Sequence, residues 1–558
     1  MENAAYVIGL DYGTLSGRGI LVRCADGHVM AEAVREYTHG VMNRQLPDGT
    51  RLPDNGWNLE HPADYLEVLD TVIPGLIRDS GADPDRIVGI GIDFTSCTML
   101  PVDAGAVPLC MKEEFASRRN AYVKLWKHHG ADAQAQKINR ILDETGLGAD
   151  VRFGGKCSSE LMMPKVMETL QEDPQVYEAA DEFLEAGDWL TRVLTSSRNR
   201  SSSMAGYKMW WNQEQGYPPE SFFASLDGRL KDFISRKMPG KVCPMGSRIG
   251  RLNAEWAGRL GLREGTSVAP SIIDSHAGVP GSGVAASGQM MLVLGTSSVL
   301  AALSRTPFSG KGVMGGVRDA VVPGYYMFES GLACVGDLFA WYMTNMLPAC
   351  VEREAKQTGK DLFRLLNEKA EKKKPGENGL LALGWWNGNK TPFVDAALSG
   401  SLMGMTLETR PEDIYRALIE STAFDTRVIL DLFEAHGSRA EEIVASGGIA
   451  AKNPFLMQVY ADICEKPIRV AASSQTAALG AAIYGALAAG EEEGGFSSYQ
   501  EAVKRICPAS DLVYSPNPAH IPTYRRLYGW FRKAARSMGD QNADLLHGLH
   551  GSRQGMIE

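Results

Sequence analysis

The sequence predicts an α/β protein built from two related halves. A strand, a glycine-rich turn and a second strand open the chain at residues 6–22, and the same order returns at residues 289–303. Buried strand-like runs and amphipathic helical stretches alternate between and after these two segments, which is typical of a mixed α/β chain. The length of 558 residues allows three or four ordinary domains or two large ones.

The elements of the first half follow from residue pattern. A hairpin is predicted over residues 6–22, because two apolar runs flank a turn that contains Gly13. A helix is predicted over residues 62–80 and a buried strand over residues 87–94. Helical patterns follow around residues 131–146 and 174–196.

The second half is predicted to contain a long helix over residues 411–436 that leads into a strand at residues 443–448. The Ala- and Gly-rich stretch 477–490 is too short to cross a bilayer and is predicted to form a tightly packed buried helix. The tail beyond Gly539 is predicted to be poorly ordered.

Composition excludes several classes of protein. The chain carries 57 basic and 67 acidic residues, a net charge of −10, and is 44% hydrophobic and 22% charged. These values are ordinary for a globular protein and unsuited to holding a nucleic-acid backbone, so neither nucleic acid nor membrane is an expected partner. The nine cysteines are odd in number and form no C-x-x-C pair, and the N-terminus does not resemble a signal peptide, which favours reduced thiols in a cytoplasmic protein.

Three glycine-bearing turns follow predicted strands. They are Asp11-Tyr-Gly-Thr14, Leu294-Gly-Thr-Ser-Ser298 and Ser446-Gly-Gly-Ile449. Glycine lets backbone amides approach an anion, and the hydroxyl groups of Thr and Ser add donors. One such turn is usually only a turn, whereas three in this order favour a phosphate site. Because a carboxylate repels phosphate, Asp11 implies a magnesium ion or its water shell between them.

The motifs resemble those of the FGGY carbohydrate kinases. The matching stretches are Gly9-x-Asp-x-Gly-Thr14, Asp274-Ser-His-Ala-Gly278, Leu294-Gly-Thr-Ser297, Gly447-Gly-Ile-Ala450 with Asn453, and Gln458-x-x-Ala-Asp462. The resemblance covers roughly residues 5–530. It implies the two-domain ATPase fold shared by hexokinase, actin and the heat-shock ATPases, in which each half is a mixed sheet flanked by helices and a cleft lies between the halves.

The resemblance also implies how the chain is divided into two domains and a tail. Residues 1–283 are expected to form the N-terminal domain, with the sugar side and the first phosphate turn. Residues 284–540 are expected to form the C-terminal, nucleotide-side domain, and residues 541–558 a tail.

The family resemblance assigns the expected catalytic and nucleotide residues. Asp274 is the expected general base, although on the residues alone an Asp before Ser-His-Ala-Gly could equally cap a helix. Asp11 is expected to bind Mg²⁺ through water, and Arg18 is either a nearby ligand or a surface charge. The residues expected to bind ATP are Asp11, Gly13, Thr14, Ser16, Gly295, Thr296, Ser297, Gly447, Gly448 and Asn453.

The expected sugar contacts rest on positions that differ from those of other family members. Thr95, Ser96 and Cys97 replace larger polar groups, which leaves room for a different sugar and disfavours xylulose and glycerol. A structural role stays open for each of the predicted contacts. They are Asp93, Ser96, Cys97, Trp126, Lys127, His128, Lys208, Asp274 and Glu329.

Four further stretches resemble family members that phosphorylate L-ribulose. They begin at Gly91, Leu125, Ala205 and Phe328. They imply ATP-dependent transfer to the 5-hydroxyl in L-arabinose catabolism, with a small sugar as partner and a homodimer left open.

The alternatives are another pentulose or pentitol kinase, such as one for D-ribulose or ribitol, and an actin-like or chaperone-type ATPase. A chaperone would need a long peptide-binding domain after the second half, and an actin-like protein has no use for Asp274.

Overall fold

The computed structural model describes residues 4–145, 156–508 and 510–553. The chain divides into two compact units, and both are discontinuous. The first contains Met1–Ala285, Gly315–Met327 and Gln475–Pro508; the second contains Ala286–Met314, Phe328–Ser474 and Ala509–Glu558. The predicted division at residues 283 and 284 keeps each half continuous, so it misses the two segments with which the chain returns to the first unit.

The described residues contain strands and helices numbered in chain order. The strands are β1 (Tyr6–Tyr12), β2 (Ser16–Arg23), β3 (Val29–Glu36), β4 (Leu59–Glu60), β5 (Ile87–Phe94), β6 (Met99–Val102), β7 (Val123–Lys124), β8 (Glu182–Glu185), β9 (Arg200–Ser201), β10 (Val242–Cys243), β11 (Gly250–Arg251), β12 (Ser267–Val268), β13 (Ile272–Ile273), β14 (Gln289–Leu294), β15 (Ser298–Ser304), β16 (Met314–Arg318), β17 (Tyr326–Ser330), β18 (Leu381–Leu383), β19 (Ser401–Met403), β20 (Glu442–Ser446), β21 (Ile468–Val470) and β22 (Val513–Tyr514). The helices are α1 (Pro62–Ser80), α2 (Asp132–Thr145), α3 (Met162–Glu172), α4 (Pro174–Ala179), α5 (Ala186–Thr195), α6 (Ser202–Met209), α7 (Glu220–Leu226), α8 (Phe233–Lys237), α9 (Ala254–Leu260), α10 (Asp274–Gly281), α11 (Gly336–Asn345), α12 (Ala349–Thr358), α13 (Leu362–Glu371), α14 (Pro411–Ala435), α15 (Gly448–Lys452), α16 (Pro454–Cys464), α17 (Thr476–Ala489), α18 (Tyr499–Ile506), α19 (Ile521–Arg536) and α20 (Ala543–Arg553).

The first unit is organised around a mixed sheet. Its strand order is β11-β12-β5-β1-β2-β3, and β13 also pairs with β5. Strands β1, β12 and β13 run parallel to β5, whereas β1-β2 and β2-β3 are antiparallel. The predicted hairpin at residues 6–22 and the predicted strand 87–94 are therefore confirmed. Strands β1, β5 and β13 end at the same edge of the sheet.

The predicted helix over residues 62–80 is confirmed as α1. The His61 side chain accepts a hydrogen bond from the Ala63 amide, and Pro62 occupies the first turn, where its missing N–H costs nothing. Gly81 ends the helix in the left-handed conformation, with φ of 64°. Both ends of α1 are thus set by local sequence.

Helix α17 confirms the predicted packed Ala- and Gly-rich helix. It lies in the first unit against β1, β5 and α10. A Cβ atom at Gly9 or Gly91 would overlap the carbonyl oxygens of Ala478 or Ala481 in this helix. Gly9 and Gly91 therefore serve close backbone packing between the helix and the sheet.

The second unit contains its own mixed sheet. Strand β14 is antiparallel to β15 and parallel to β20, which is parallel to β21, and β21 is antiparallel to β22. The predicted second strand-turn-strand motif is confirmed as the β14-β15 hairpin. The predicted long helix and following strand are confirmed as α14 and β20. Each unit thus presents a hairpin with a glycine turn.

Two local predictions are wrong. The stretch 174–196 is interrupted by strand β8, which pairs antiparallel with β6. The buried Glu182 of β8 is neutralised by Arg192 and Arg198, an arrangement that helical periodicity cannot reveal. The tail predicted to be poorly ordered contains α20, where His547 pairs with Asp395 at 2.7 Å.

All nine cysteines are free, as their number and spacing predict. In the three described ranges, every helix is too short or too polar to span a membrane.

Candidate active site

Three aspartates stand at the ends of neighbouring parallel strands in the first unit. Asp11 on β1 lies opposite Asp93 on β5 in the sheet register. Ile272 of β13 also lies opposite Asp93, and Asp274 follows that strand directly. Since parallel strands end at the same edge of a sheet, the topology brings the predicted base and the predicted metal-binding carboxylate to one place.

Burial and mutual repulsion govern the ionisation of this cluster. Burial raises the pKa of Asp93 well above its usual range, and the charges of Asp11 and Asp274 raise it further. Burial also raises the pKa of Asp11, whereas a hydrogen bond with Asp93 and the charge of Arg18 lower it. The Arg18 Nε lies 3.4 Å from Asp11 Oδ2. Arg18, left open as a ligand or a surface charge, is a partner of Asp11. The Asp93 side chain is inaccessible to a ligand, so Asp93 is not proposed as a sugar contact.

Asp274 is not the helix cap that its sequence context allowed. Ile273 occupies the N-cap position of α10 and makes no capping bond through its side chain. Asp274 is the first helical residue and is half-buried; its Oδ1 accepts a hydrogen bond from the Ser275 amide at 2.7 Å. This hydrogen bond holds the carboxylate of Asp274 at the start of α10, directly after β13.

The first glycine turn is tied to the segment that follows β7. The Gly13 amide donates to the Ser16 carbonyl at 3.0 Å. The Trp126 indole N–H donates to the Thr14 hydroxyl at 3.1 Å, and the Trp126 side chain remains 38% exposed. The structure therefore joins two groups of predicted site residues, one for phosphate and one for sugar.

The turn after β5 carries Ser96 and Cys97. Thr95 and Thr98 close it through their hydroxyl groups, whose oxygens lie 2.8 Å apart. Cys97 is buried and adopts φ of 54°, the left-handed region that non-glycine residues rarely enter. Ser96 is half-buried and is the accessible polar group of this turn.

His128 has a structural role that the sequence did not separate from ligand binding. Its ring is fully buried: Nδ1 accepts from the Asn58 amide at 3.4 Å, and Nε2 lies 2.8 Å from Glu168 Oε2. Burial lowers the pKa of His128 to about 4, so the ring is neutral and its Nε2–H donates to Glu168. Both ring nitrogens have hydrogen-bond partners within the protein, so His128 is not proposed as a sugar ligand. Its neighbour Lys127 is half-buried and remains a proposed ligand.

Lys208 stands near a buried carboxyl that sequence reasoning missed. Lys208 lies on α6 and is half-buried. Glu185 precedes α5, and within the described ranges neither of its carboxyl oxygens has a hydrogen-bond partner. Burial raises the pKa of Glu185 to about 8, and the charges of Lys165 and Lys208 oppose that rise. Glu185 could not be identified from the sequence, because charged residues directly before an apolar helix are common.

The second unit contains the turn between β14 and β15. The Gly295 amide donates to the Ser297 carbonyl at 2.9 Å. The carbonyls of Gly295 and Thr296 accept from the Gly336 and Val335 amides at 2.9 and 2.8 Å. The hydroxyl-bearing residues of the turn are accessible, so the start of α11 holds the turn and leaves Thr296 and Ser297 available to a ligand.

A cavity of about 800 Å³ in the second unit is lined by three of the predicted nucleotide residues. Gly295, Gly448 and Asn453 all line it. Gly447, in the turn before Gly448, has φ of 97° and needs glycine. Asn453 also caps α16, because its side chain accepts from the Leu456 amide at 3.0 Å. The volume falls in the range of pockets that hold small ligands.

One wall of this cavity was not predicted. It consists of Gly336 and Phe339 of α11 and of α13 residues that include Phe363 and Asn367. Phe363 is 42% exposed, and an exposed aromatic on an amphipathic helix is the signal that could have indicated it.

Comparison with known proteins identifies the family. The profile of the FGGY family of carbohydrate kinases, N-terminal domain, matches residues 6–281, and the profile of its C-terminal domain matches residues 290–489. The chain belongs to the FGGY family of carbohydrate kinases. The kinase is 46% identical over 528 residues to a ribulokinase of Bacillus licheniformis, covering 95% of this chain and 96% of that one. It is 40% identical over 525 residues to a ribulokinase of Mycolicibacterium smegmatis, covering 94% and 92%.

Solved structures agree with the fold of the kinase. A xylulose kinase from Rhodospirillum rubrum aligns with a TM-score of 0.77 at 22% identity, over 97% of this chain and 100% of that one. A Plasmodium falciparum glycerol kinase crystallised with ADP aligns with a TM-score of 0.74 at 16% identity, over 96% and 98%. These comparisons confirm the predicted two-domain α/β fold with a mixed sheet in each half.

Glu329, the last of the predicted sugar residues, lies in β17 of the second unit and is half-buried. Its contact with sugar stays a prediction.

Gly448→Leu is expected to raise the KM for ATP about tenfold or more while leaving the melting temperature near that of the wild type. A Cβ atom at Gly448 meets no atom within 4 Å, so a side chain there fills the cavity rather than the core. Steady-state kinetics with varied ATP test this. Gly258→Leu, at an equally open glycine in α9, is the matched control and should leave the KM unchanged. An unchanged KM for ATP in Gly448→Leu would exclude this cavity as the nucleotide site.

Proposed function

We propose that the kinase transfers the γ-phosphate of ATP to the 5-hydroxyl of L-ribulose and releases ADP and L-ribulose 5-phosphate, a step of L-arabinose catabolism. The observation that carries the proposal is the identity of 46% to a ribulokinase over nearly the whole of both chains. Identity at this level across both family domains supports a shared substrate class. We infer the position of the phosphate and the hand of the sugar from the four stretches that resemble kinases of L-ribulose.

The sugar is proposed to bind the first unit at the edge where Asp11 and Asp274 stand. Ser96, Lys127 and Lys208 are half-buried polar side chains from three different elements of that unit. A ketose presents hydroxyl groups and one carbonyl oxygen, which match an Asp acceptor and Lys donors.

Asp274 is proposed as the general base. In the reaction its carboxylate takes the proton of the 5-hydroxyl while the new O–P bond forms and the bond from the γ-phosphorus to the bridging oxygen breaks. Phosphoryl transfer needs alignment and charge stabilisation more than covalent help from the protein. The placement of Asp274 at the first position of α10 fixes its carboxylate through the Ser275 amide.

ATP is proposed to occupy the cavity of the second unit. The open face at Gly448 lets a flat base lie against the backbone, and Phe363 and Phe339 offer apolar surface beside it. The hydroxyl groups of Thr296 and Ser297, together with the backbone of their turn, are proposed to bind the phosphates.

The carboxylates at the sheet edge of the first unit fit a magnesium ion. Asp11 is 16% exposed. Burial and then the charges of Asp11 and Asp274 raise the pKa of the neighbouring Asp93, and a cation would relieve that repulsion. Asp11 would hold the ion through water, as magnesium with its tightly held hydration shell prefers. When bound, Mg²⁺ neutralises phosphate charge.

A panel of sugars tests the substrate. ATP consumption is measured with L-ribulose, D-ribulose, ribitol, D-xylulose and glycerol, and the highest kcat/KM is expected with L-ribulose. A higher value with D-ribulose or ribitol would replace the proposed substrate with that one. ATP hydrolysis that no sugar stimulates would favour the actin-like or chaperone-type ATPase and overturn the proposed function.

A further inference from the structure

Lys165 is a fully buried lysine whose amine binds two main-chain carbonyls. It lies on α3, where its Nζ donates to the carbonyl oxygen of Cys97 at 2.6 Å and to that of Leu125 at 2.8 Å. Among the described residues, no carboxylate lies within ion-pair distance of Lys165. The neighbouring Lys124, by contrast, contacts Glu168 Oε2 at 2.6 Å. Burying an ammonium group without a counter-ion is costly, and the hydrogen bonds to these two carbonyls offset part of that cost.

The two carbonyls belong to the two turns that carry the proposed sugar ligands. Cys97 follows Ser96 in the turn after β5, and Leu125 precedes Trp126 and Lys127. The first turn contains the left-handed Cys97, a conformation that costs energy and needs support from its surroundings. These turns are distant in sequence, and the Lys165 amine is a direct bridge between them.

We propose that Lys165 is a positioning residue for the sugar: its ammonium group fixes residues 95–98 and 125–128 relative to each other, so that Ser96 and Lys127 present their polar groups to one ligand. The inference rests on the proposed function, because it concerns the same sugar site. Lys165 itself is inaccessible and does not touch the sugar.

The surroundings of Lys165 make the bridge between the two turns depend on pH. Burial lowers the pKa of Lys165 to about 8, and Lys124 lowers it further, whereas Cys97, Glu185 and Glu160 raise it. Lys208, on the neighbouring α6, acts on the same Cys97 and Glu185. Below about pH 8 the ammonium form makes charge-assisted bonds to both carbonyls. As the pH rises through 8 the charge is lost and both bonds weaken, so the KM for ketose should rise.

Lys165→Met tests the positioning role, with Lys237→Met as the matched control. Lys237 is also buried, with a lowered pKa, and its Nζ donates to the carbonyls of Tyr177 and Ala180, which are not among the proposed ligands. Both variants should lose thermal stability. Only Lys165→Met should raise the KM for L-ribulose, about tenfold or more at pH 7, with the KM for ATP unchanged. The rise in ketose KM above about pH 8 should be present in the wild type and in Lys237→Met, and absent in Lys165→Met.

A second measurement does not depend on activity. Backbone amide hydrogen exchange at residues 95–98 and 125–128 should accelerate in Lys165→Met and not in Lys237→Met. An unchanged ketose KM, or an alkaline rise that persists in Lys165→Met, would overturn the positioning role. A wild-type chain that phosphorylates no ketose would overturn the proposed function instead. Unaltered hydrogen exchange at both turns in Lys165→Met would overturn the bridge between them, whatever the activity.

Discussion

Asp274→Asn is expected to reduce turnover by about 10²- to 10⁴-fold while sugar binding remains measurable. The amide cannot take the proton of the attacking hydroxyl, but it keeps the size of the carboxylate and one acceptor oxygen. Asp274 Oδ1 accepts from the Ser275 amide, and the Asn carbonyl oxygen can do the same, so α10 should begin as it does in the wild type. Turnover is measured at saturating ATP and L-ribulose, and sugar binding by calorimetry.

Asp64→Asn is the matched control for this variant. Asp64 lies in the first turn of α1, is buried, and pairs with His39. The change removes the same charge from the same part of a helix, far in sequence from the site. It should lower thermal stability and leave turnover close to that of the wild type. Near-normal turnover in Asp274→Asn would sink its assignment as the base.

Gly480→Ala is expected to prevent the first unit from folding stably, at a cost of more than about 3 kcal/mol. A Cβ at this position would overlap the carbonyl of Ala277 in α10. The obstruction is backbone, so no side chain can rotate to relieve it. Gly281 of α10 meets the Thr476 carbonyl of α17 in the same way, and the pair of glycines sets the distance between the helix that carries Asp274 and its neighbour.

Gly529→Ala separates this packing effect from helix propensity. Gly529 lies inside α19, and a Cβ there meets no atom within 4 Å. Alanine should therefore stabilise the protein by about 0.5–1 kcal/mol, because glycine is a poor helix former. Urea unfolding of the two variants measures the difference. A Gly480→Ala protein that unfolds at the wild-type urea concentration would contradict the close contact between α10 and α17.

The fold was predictable where the determinants are local. Pro62 and Gly81 mark the ends of α1, and the turn glycine at Gly13 marks the first hairpin. Strand β8 was missed because it pairs with β6, which is distant along the chain, and because helical periodicity does not show that Arg192, Arg198 and Arg200 pair with Glu182. The return of α17 to the first unit depends on complementary glycines in three separate elements, and no single stretch reveals it.

The candidate site was predictable in its motifs and less so in its supports. Asp11, Asp274, Gly295 and Gly448 stand at or beside the ends of strands, in motifs that the sequence marks by residue type. Lys165 lies in the apolar run Leu161-Met-Met-Pro-Lys-Val-Met167, and a lone lysine there predicts burial without naming what it binds. His128 was placed with the sugar ligands because nothing in the sequence shows that Asn58 and Glu168 occupy its two nitrogens.

Phosphoryl transfer from ATP to the 5-hydroxyl of L-ribulose can be tested directly by product analysis. The kinase is incubated with equimolar ATP and L-ribulose, and the products are analysed by phosphorus and carbon NMR. We expect one ADP formed for each sugar consumed, with the phosphate coupled to carbon 5. ADP and free phosphate with unchanged sugar, or phosphate on another carbon, would contradict it.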